Sequence, residues 1–365
     1  MSDKTFSLNF RSDNVGTVTP EILRALHGVN DGPAASYGDD EYSALLTEKF
    51  CELFETEVTV FPVATGTAAN ALSLASCVRP WGGIYCHEEA HIHTSEGGAT
   101  EAFSGGAKLM ALPGKHCKLE PTMLAQLLGR AERDIRNRPQ PDAVSITQAS
   151  EYGTVYDREE LAAIGACARA AGIRFHMDGA RFANALATLR CNAADMTWRA
   201  GVDILSFGAT KNGGMGADAV VVFDPALVEP LSYRLRRAGQ TWSKMRYAAA
   251  QLMAYIEDGL FLKLAAQANA LASQLGRGLA VLPGVQLIAP VQANLVFVAM
   301  PGPAIESLAA GGVRFARRRG NVIRLVTRFD GTQAEVDQLI ALARQALSEP
   351  GAIAWRSGTP GCTPG

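Results

Sequence analysis

The sequence has few of the features that mark nucleic-acid-binding, membrane or secreted proteins. Its 34 lysines and arginines nearly balance its 36 aspartates and glutamates, so charge gives no argument for a nucleic acid or an anionic membrane as partner. The basic run at residues 317–319 is short enough to be a solvated surface. No stretch of about 18 uninterrupted apolar residues occurs, and the opening residues lack the apolar segment of a signal peptide.

The cysteines also lack the spacing that is typical of disulfides or zinc sites. Seven cysteines are an odd number, and they follow no paired spacing, which argues against both a disulfide framework and a zinc module. Reduced thiols fit a reducing compartment. We therefore expect a cytoplasmic, soluble protein that binds neither nucleic acid nor membrane.

What the sequence does have is a regular alternation of apolar runs and helical patterns. This alternation is typical of βαβ units, whose mainly parallel sheet is covered by helices on both faces. We predict an α/β fold with a seven-stranded sheet whose strands lie at residues 58–61, 83–86, 108–112, 143–146, 173–177, 203–207 and 219–223. The clearest helix is predicted at residues 158–171, with Gly172 as its stop signal.

The last third of the chain reads as a smaller α+β domain. Residues 240–282 predict two helices separated around residues 257–259. Further strands are predicted at residues 294–299, 313–315 and 322–326, before a helix at 332–347 with Thr332 as its N-cap and Glu335 at N3. The expected divisions are an N-terminal segment (1–30), a large domain (31–250), a small C-terminal domain (251–348) and a disordered tail (349–365).

Lys211 is the first candidate for chemistry, because it follows the predicted strand 203–207 and precedes two glycines. Partial desolvation at such a place favours a neutral, nucleophilic amine, and small neighbours let a flat ring lie against the backbone. A lysine after a strand can also be a simple solvated loop residue. The interpretation as a Schiff-base lysine therefore needs partners elsewhere in the chain.

Asp178 is the first such partner, at the end of the predicted strand 173–177 and 33 residues before Lys211. A buried carboxylate there can keep a pyridine nitrogen protonated, which makes the ring an electron sink. The alternative is structural: Asp178 would cap a helix, and Arg181 would form a salt bridge with it.

Two more patterns complete the candidate site. Gly66 and Thr67 follow the first predicted strand and open a helix, where free backbone N–H groups bind phosphate, although Thr67 could be a plain N-cap. His91 follows the second strand and could stack on a cofactor ring, or be structural. His93 lies two residues further on, so the two imidazoles do not share a helix face, and a metal pair is not indicated.

Taken together, these motifs resemble the fold-type I enzymes that use pyridoxal 5'-phosphate (PLP), and among them the L-threonine aldolase (β-eliminating lyase) family. The resemblance is closest to the low-specificity L-threonine or phenylserine aldolases. It spans nearly the whole chain and is carried by residues 11–14, 37–40, 65–70, 90–91, 176–181, 207–213, 244–246 and 324–328.

The resemblance implies a role for each matching residue. Lys211 would hold PLP with Thr210 beside it, Asp178 would pair with the pyridine nitrogen, His91 would stack on the ring, and Gly66 and Thr67 would hold the phosphate. Substrate carboxylate or cofactor substituents would be bound by Ser12, Arg181 and Arg324.

The resemblance also implies shared active sites. Tyr37, for substrate, and Arg246, for cofactor, would reach the site of a neighbouring subunit in a homotetramer built as a dimer of dimers. The implied reaction is Cα–Cβ cleavage of L-threonine, L-allo-threonine or a related β-hydroxy-α-amino acid to glycine and an aldehyde. The alternatives are β-elimination or transamination by the same kind of enzyme, a PLP-binding protein without catalysis, and a purely structural protein.

One departure from the family concerns proton transfer. Many members carry a histidine, proposed to assist at the substrate hydroxyl, in the loop where this chain has Asp134 to Arg136. A guanidinium stays protonated in proteins, so Arg136 cannot serve as a base. This leaves His91, His93 or an ordered water as candidates. Arg328 likewise stands where the family commonly has a histidine, and the use of metal is not readable from the sequence.

Overall fold

The computed structural model describes residues 8–132 and 135–348, so the predicted tail at 349–365 lies outside the described residues. A seven-stranded sheet forms the larger layer, in the order β1-β7-β6-β5-β4-β2-β3. Its strands are β1 Thr59–Val63, β2 Gly82–His87, β3 Lys108–Leu112, β4 Gln140–Thr147, β5 Arg174–Gly179, β6 Ile204–Phe207 and β7 Asp218–Val222. All seven predicted strands are thus confirmed, with shifts of up to three residues at their ends.

The sheet is mainly parallel, as expected. Neighbouring strands from β3 to β6 run parallel, whereas β7 runs antiparallel to both β6 and β1. The central strands β2, β6 and β7 are buried along their whole length, because helices cover both faces. Pro62 is tolerated in β1 because this strand forms the edge of the sheet.

The described helices number thirteen, apart from short 3-10 turns. They are α1 Pro20–Gly28, α2 Glu41–Phe54, α3 Gly66–Cys77, α4 His91–Thr94, α5 Ala99–Ser104, α6 Pro121–Gly129, α7 Arg158–Ala171, α8 Phe182–Leu189, α9 Val228–Arg237, α10 Arg246–Ile256, α11 Leu260–Ala280, α12 Gly302–Ala310 and α13 Gln333–Ser348. The predicted bounds of α7 are met at both ends. Asp157 and Glu160 form a capping box at its start, and Gly172 ends it in the left-handed conformation.

A second sheet of four strands lies in the C-terminal third, in the order β10-β11-β9-β8. The strands are β8 Gln286–Leu287, β9 Leu295–Ala299, β10 Ala316–Arg318 and β11 Val322–Val326. The strand predicted at 313–315 is wrong by three residues. Gly320 and Asn321 both have positive φ, and the turn they form fixes the pairing of β11 to residues 316–318 instead.

The two cores meet along α11. Its first turns, with Phe261 and Ala265, pack into the core of the large sheet, while its second half packs against the small sheet and α13. Residues near the N-terminus also join the small sheet, where the N–H of Phe10 donates to Arg314 and the N–H of Val326 donates to Phe10. The division at residue 250 remains a prediction.

Among the described residues, none of the helices has the length and apolar content needed to cross a lipid bilayer.

Candidate active site

A cavity of about 380 Å³ opens at the carboxyl ends of the parallel strands, where open α/β sheets bind ligands. Nine of the eleven residues singled out in the sequence line it. They are Ser12, Gly66, Thr67, His91, Asp178, Arg181, Thr210, Lys211 and Arg324. The fold therefore brings together residues that lie more than 300 positions apart.

Lys211 lies on a fixed connection between β6 and β7. The carboxylate of Asp218 accepts hydrogen bonds from the backbone N–H groups of Ala209 and Thr210 at 2.8 and 3.0 Å. Gly208 packs so closely that an added Cβ would lie 2.6 Å from the carbonyl oxygen of Ala180. Lys211 is half-buried and lines the cavity, so it is not a freely solvated loop residue.

The N-terminus of α3 faces the same cavity. Thr65, and not Thr67, is the N-cap, because its hydroxyl accepts from the N–H of Ala68 at 3.1 Å. Gly66 and Thr67 are the first two helical residues, and N–H groups at these positions have no acceptor within the helix. The hydroxyl of Thr210 is buried without a partner among the described residues. Together these donors are suited to an anion.

Asp178 is buried at the end of β5 and belongs to a chain of hydrogen bonds. One of its carboxylate oxygens accepts from the N–H of Ala180 at 3.0 Å, and the other accepts from the side-chain amide of Asn70 at 2.9 Å. The same Asn70 nitrogen donates to Glu96 at 2.8 Å, and Glu96 accepts from Nδ1 of His91 at 2.8 Å. The hydrogen bond to Glu96 raises the pKa of His91.

Asn70 and Glu96 also line the cavity, and neither of them is predicted from the sequence. Asn70 closes the run at residues 65–70 that carried the resemblance, so its position was a usable signal. Glu96 is five residues beyond His91 in a turn, and nothing in the local pattern indicates that its carboxylate returns to the imidazole.

His176 lies behind Asp178 on β5. Its two ring nitrogens are hydrogen-bonded to the hydroxyls of Ser145 and Ser206 at 2.9 and 3.0 Å. Burial lowers the pKa of His176 to about 4, so the imidazole is neutral at neutral pH. Ser206 itself lines the cavity.

The structural alternative, a salt bridge between Arg181 and Asp178, is wrong. The Nε and Nη2 of Arg181 donate to the two carboxylate oxygens of Asp13 at 2.8 and 3.1 Å. The Asn294 amide also donates to Asp13 at 3.0 Å. Burial alone would raise the pKa of Asp13, but Arg181 and Lys211 hold it below its ordinary value. The sequence had shown Asp13 in the run 11–14 without indicating this partner.

The guanidinium of Arg324 makes fewer hydrogen bonds with the described residues than that of Arg181. Its Nη2 donates to the carbonyl of Arg11 at 3.3 Å, while its Nε is buried without a partner among the described residues. Burial and the nearby Arg181 lower the pKa of Arg324. This arrangement suits a ligand carboxylate.

Two of the predicted residues do not line the cavity of their own chain. Tyr37 lies on another surface, with the guanidinium of Arg236 4.7 Å above its ring. Arg246 donates to the carbonyl of Gly32 at 3.1 Å, and its Nε is buried without a partner in the part of the chain that is described.

The loop expected to hold the family's histidine is also away from the cavity. Arg136 is exposed and does not line it, while Asp134 lies outside the described residues. His93 is exposed, and its Nδ1 donates to the carbonyl of Glu88 at 2.9 Å. No group of three metal-ligating side chains occurs among the residues described.

Glu151 lines the cavity although sequence reasoning did not select it. It follows β4 in a turn at residues 150–154, and no motif marks it. Burial, with a smaller contribution from Asp178, raises the pKa of Glu151.

Comparisons with known proteins agree with this geometry. The model of the β-eliminating lyase family matches residues 9–301. A low-specificity L-threonine aldolase of a Pseudomonas species is 41% identical over 94% of this chain and 99% of its own length. The enzyme of that name from Pseudomonas aeruginosa is 42% identical over 86% of this chain and 90% of its own length.

The solved structure of a threonine aldolase from Leishmania major superposes with a TM-score of 0.86 and 26% identity, covering 93% of this chain and 99% of that one. A serine palmitoyltransferase from Sphingomonas wittichii, with a TM-score of 0.69 and 14% identity over 93% of this chain and 86% of that one, shares the fold alone. The architecture is that of fold-type I PLP-dependent enzymes, as predicted. The chain belongs to the β-eliminating lyase family, and its relatives there include the low-specificity L-threonine aldolases.

Proposed function

We propose that this protein is a PLP-dependent carbon–carbon lyase that cleaves L-threonine, L-allo-threonine or related β-hydroxy-α-amino acids such as phenylserine. The products are glycine and acetaldehyde, or benzaldehyde from phenylserine. One observation carries the proposal: Lys211, Asp178 and the N-terminus of α3 line a single cavity. The names of the two Pseudomonas relatives support the same reaction.

The residues present fit PLP. The N–H groups of Gly66 and Thr67, with the unpartnered hydroxyl of Thr210, would hold the phosphate. Asp178, fixed by Asn70, would hold the protonated ring nitrogen, and the Lys211 amine would bind the aldehyde carbon. When bound, PLP supplies an electron sink for the pair left at the substrate Cα.

The backbone at Gly66 is uncrowded by the described residues. An added Cβ at this glycine would meet a single atom within 4 Å, the Asp218 carboxylate at 3.9 Å. The space beside the helix N-terminus is therefore open to a ligand.

The imidazole of His91 would lie on the ring face. Its Nδ1 is held by Glu96, and this bond fixes the orientation of the imidazole plane. A fixed plane is what a stacking residue needs.

Two arginines at the cavity would orient the substrate. Arg324, with an unpartnered Nε, would bind the substrate carboxylate, and Ser12 lies on the same cavity wall. Arg181 is held by both oxygens of Asp13, so it contributes charge from a fixed position. Clamping the carboxylate aligns the bond that is to break, which is how positioning lowers a barrier.

The proposal also covers the oligomeric state of the protein and its location in the cell. Tyr37 and Arg246 would complete the site of a neighbouring subunit in a homotetramer that is a dimer of dimers. The half-exposed Tyr37 ring and the unpartnered Nε of Arg246 support this. A cytoplasmic location is supported by the six free cysteines among the described residues.

The reaction is tested by incubating the purified protein and PLP with L-threonine, L-allo-threonine and phenylserine. We expect glycine and the matching aldehyde in equal amounts, whereas an oxo acid or ammonia would indicate transamination or β-elimination. Lys211→Ala should lose both turnover and the visible absorption band of the lysine-bound cofactor. Lys263→Ala, which removes an exposed lysine on α11, is the matched control and should keep both. Full turnover in Lys211→Ala would refute the role of this lysine.

A further inference from the structure

Cleavage of a β-hydroxy-α-amino acid requires a group that takes the hydroxyl proton, and the sequence left that group open between His91, His93 and water. His93 is exposed and lies off the cavity wall. His91 is bonded to the buried Glu96, whose carboxylate favours the protonated imidazole. The role proposed for His91 is stacking on the cofactor ring, which leaves the carboxylates of the cavity wall as candidate proton acceptors.

Among the described residues, four carboxylates line the cavity, and three of them each accept two hydrogen bonds from the protein. Glu96 accepts from Asn70 and His91 through one oxygen, and its other oxygen is buried without a partner among the described residues. Asp178 accepts from Asn70 and Ala180 through its two oxygens, and Asp218 accepts from two backbone N–H groups through one oxygen. Glu151 differs, because its carboxylate makes no hydrogen bond or ion pair with residues 8–132 or 135–348. A carboxylate with free lone pairs, facing a ligand cavity, can accept a proton from the ligand.

The turn that carries Glu151 is held rigidly. The N–H of Ser150 donates to Thr154 and the N–H of Gly153 donates to Ser150, both at 2.8 Å. The hydroxyls of Ser150 and Thr154 both donate to the carbonyl of His116, at 3.1 and 2.8 Å. These bonds hold the backbone of the turn on both sides of Glu151, so its side chain starts from a fixed position at the cavity wall.

The turn also touches the small sheet. The ring of Tyr152 packs on that of Phe297 of β9, with centroids 4.7 Å apart. An added Cβ at Gly153, where φ is +76°, would lie 2.9 Å from Leu295. Glu151 therefore lies between the large sheet, which supplies Lys211, and the small sheet, which supplies Arg324.

The charges around Glu151 come from several elements. Asp178 of β5 raises its pKa, whereas His91 of α4, Arg181 after β5 and Lys211 after β6 lower it. Arg324 of β11 and Cys117, in the turn after β3, also feel its charge. Burial is the largest influence, and the net result is a pKa above the ordinary value of a glutamate. A raised pKa makes a carboxylate a better base once it is ionised.

We propose that the carboxylate of Glu151 accepts the proton of the substrate β-hydroxyl, an assignment that rests on the proposed aldolase function. As the O–H bond breaks, the C–O bond becomes the aldehyde carbonyl, the Cα–Cβ bond breaks, and its electron pair remains at Cα. A proton is then added at Cα to give glycine, and Glu151 returns its own proton to solvent. The proton and electron balance closes without an oxidant or reductant.

The test uses Glu151→Gln, which keeps the shape of the side chain and removes the basic oxygen. Glu89→Gln is the matched control, because Glu89 is an exposed carboxylate that does not line the cavity. In the PLP-loaded enzyme, we expect kcat/KM for L-threonine to fall by about 10²–10⁴-fold in Glu151→Gln and to be unchanged in Glu89→Gln.

Glycine separates proton transfer at the hydroxyl from other roles, because it lacks that hydroxyl. Glycine should bind Glu151→Gln no more weakly by calorimetry, and its Cα hydrogen should still exchange with deuterium by NMR. Parallel loss of glycine binding and exchange would instead make Glu151 a structural residue and overturn the proposal.

The pH profile gives a further check. In the wild-type enzyme, kcat/KM for L-threonine should rise with pH as Glu151 ionises, and this acid limb should be missing in Glu151→Gln. A variant that cleaves at the wild-type rate overturns the inference alone. A wild-type enzyme that yields no aldehyde would overturn the proposed function, and this inference with it.

Discussion

The polar groups around the cavity form two sets that differ in how fully the protein satisfies them. The bonded set comprises Asp13, Glu96, Asp178 and Asp218, whose carboxylates each accept at least two hydrogen bonds from the chain. The open set comprises the hydroxyl of Thr210 and the Nε of Arg324, which are buried without partners among the described residues. It also includes the carboxylate of Glu151, which lines the cavity and accepts no hydrogen bond from those residues.

This difference separates two kinds of task. A buried polar group without a partner costs free energy, so native proteins keep few of them. The bonded set holds the architecture of the site in place before any ligand arrives. In the proposed function, the open set would bind the cofactor and the substrate. Substitutions in the first set should therefore act mainly on folding, and those in the second mainly on binding and turnover.

The largest expected effect on stability is in the bonded set, at Asp13. Asp13→Asn leaves the buried guanidinium of Arg181, which has 10% of its side chain exposed, without a counter-charge. Removing one partner of a buried ion pair costs about 3–5 kcal/mol. Urea unfolding at pH 7 measures this loss.

An exposed pair gives the control for Asp13. The Arg317–Glu306 pair has side chains that are 51% and 67% exposed, and such surface pairs contribute little to stability because solvent screens their attraction. Glu306→Gln should therefore shift the unfolding free energy by less than Asp13→Asn does. Equal losses in the two variants would remove the distinction between the bonded set and an ordinary surface pair.

The next effect is a pH dependence that arises at His176. Its pKa falls from 6.5 to about 4 on folding, so between these values the unfolded chain binds a proton that the native protein does not. Stability should then fall as pH decreases from 6.5 towards 4, by about 3 kcal/mol in total from this one group.

His176→Gln keeps a polar side chain between Ser145 and Ser206 but cannot titrate. The unfolding free energies of wild type and variant, measured from pH 7 to pH 4, should converge as the pH falls. Curves that stay parallel over this range would show that His176 is not held neutral in the native protein.

The smallest expected effect on folding is in the open set, at Thr210. Thr210→Val removes a hydroxyl that has no partner in the described structure, so the unfolding free energy without PLP should change by no more than about 0.5 kcal/mol. Binding of PLP should weaken by about 1.5–3 kcal/mol if the hydroxyl donates to the phosphate. Fluorescence titration with PLP measures this.

Thr197 is the matched control for Thr210, because its hydroxyl already has a hydrogen-bond partner within the protein. Its buried hydroxyl donates to the carbonyl of Ala193 at 2.7 Å. Thr197→Val should therefore cost about 1 kcal/mol of stability and leave PLP binding unchanged. The comparison between the two sets would be contradicted if both threonine variants weakened PLP binding to the same extent.

Much of the fold was predictable because it depends on local patterns. The seven strands of the large sheet and the helices α7, α10, α11 and α13 follow from apolar periodicity and from caps such as Asp157 and Gly172. The direction of β7 was not predictable in this way, because an apolar run is the same in a parallel and an antiparallel strand. The register of β10 depended on the backbone conformation of Gly320 and Asn321.

The site was predictable where a residue ends a strand or begins a helix. Lys211, Asp178 and Gly66 were found because of such positions and because of the family motifs. Asp13 and Glu96 act through partners 168 and 5 residues away, and sequence spacing does not reveal such contacts. Glu151 had neither a motif nor a partner, and its environment is visible only once the turn at 150–154 is folded.

The hydrogen bonds of Asp218 have a consequence for how Lys211, the proposed cofactor-binding lysine, can move. Ten residues connect β6 to β7, and the Asp218 carboxylate ties the end of this connection back to its start at Ala209 and Thr210. A short closed loop has little conformational entropy left to lose. If the Lys211 amine binds and releases the cofactor as proposed, the backbone should therefore remain in place, and the displacement of the amine should come from rotation about the methylene bonds of the side chain.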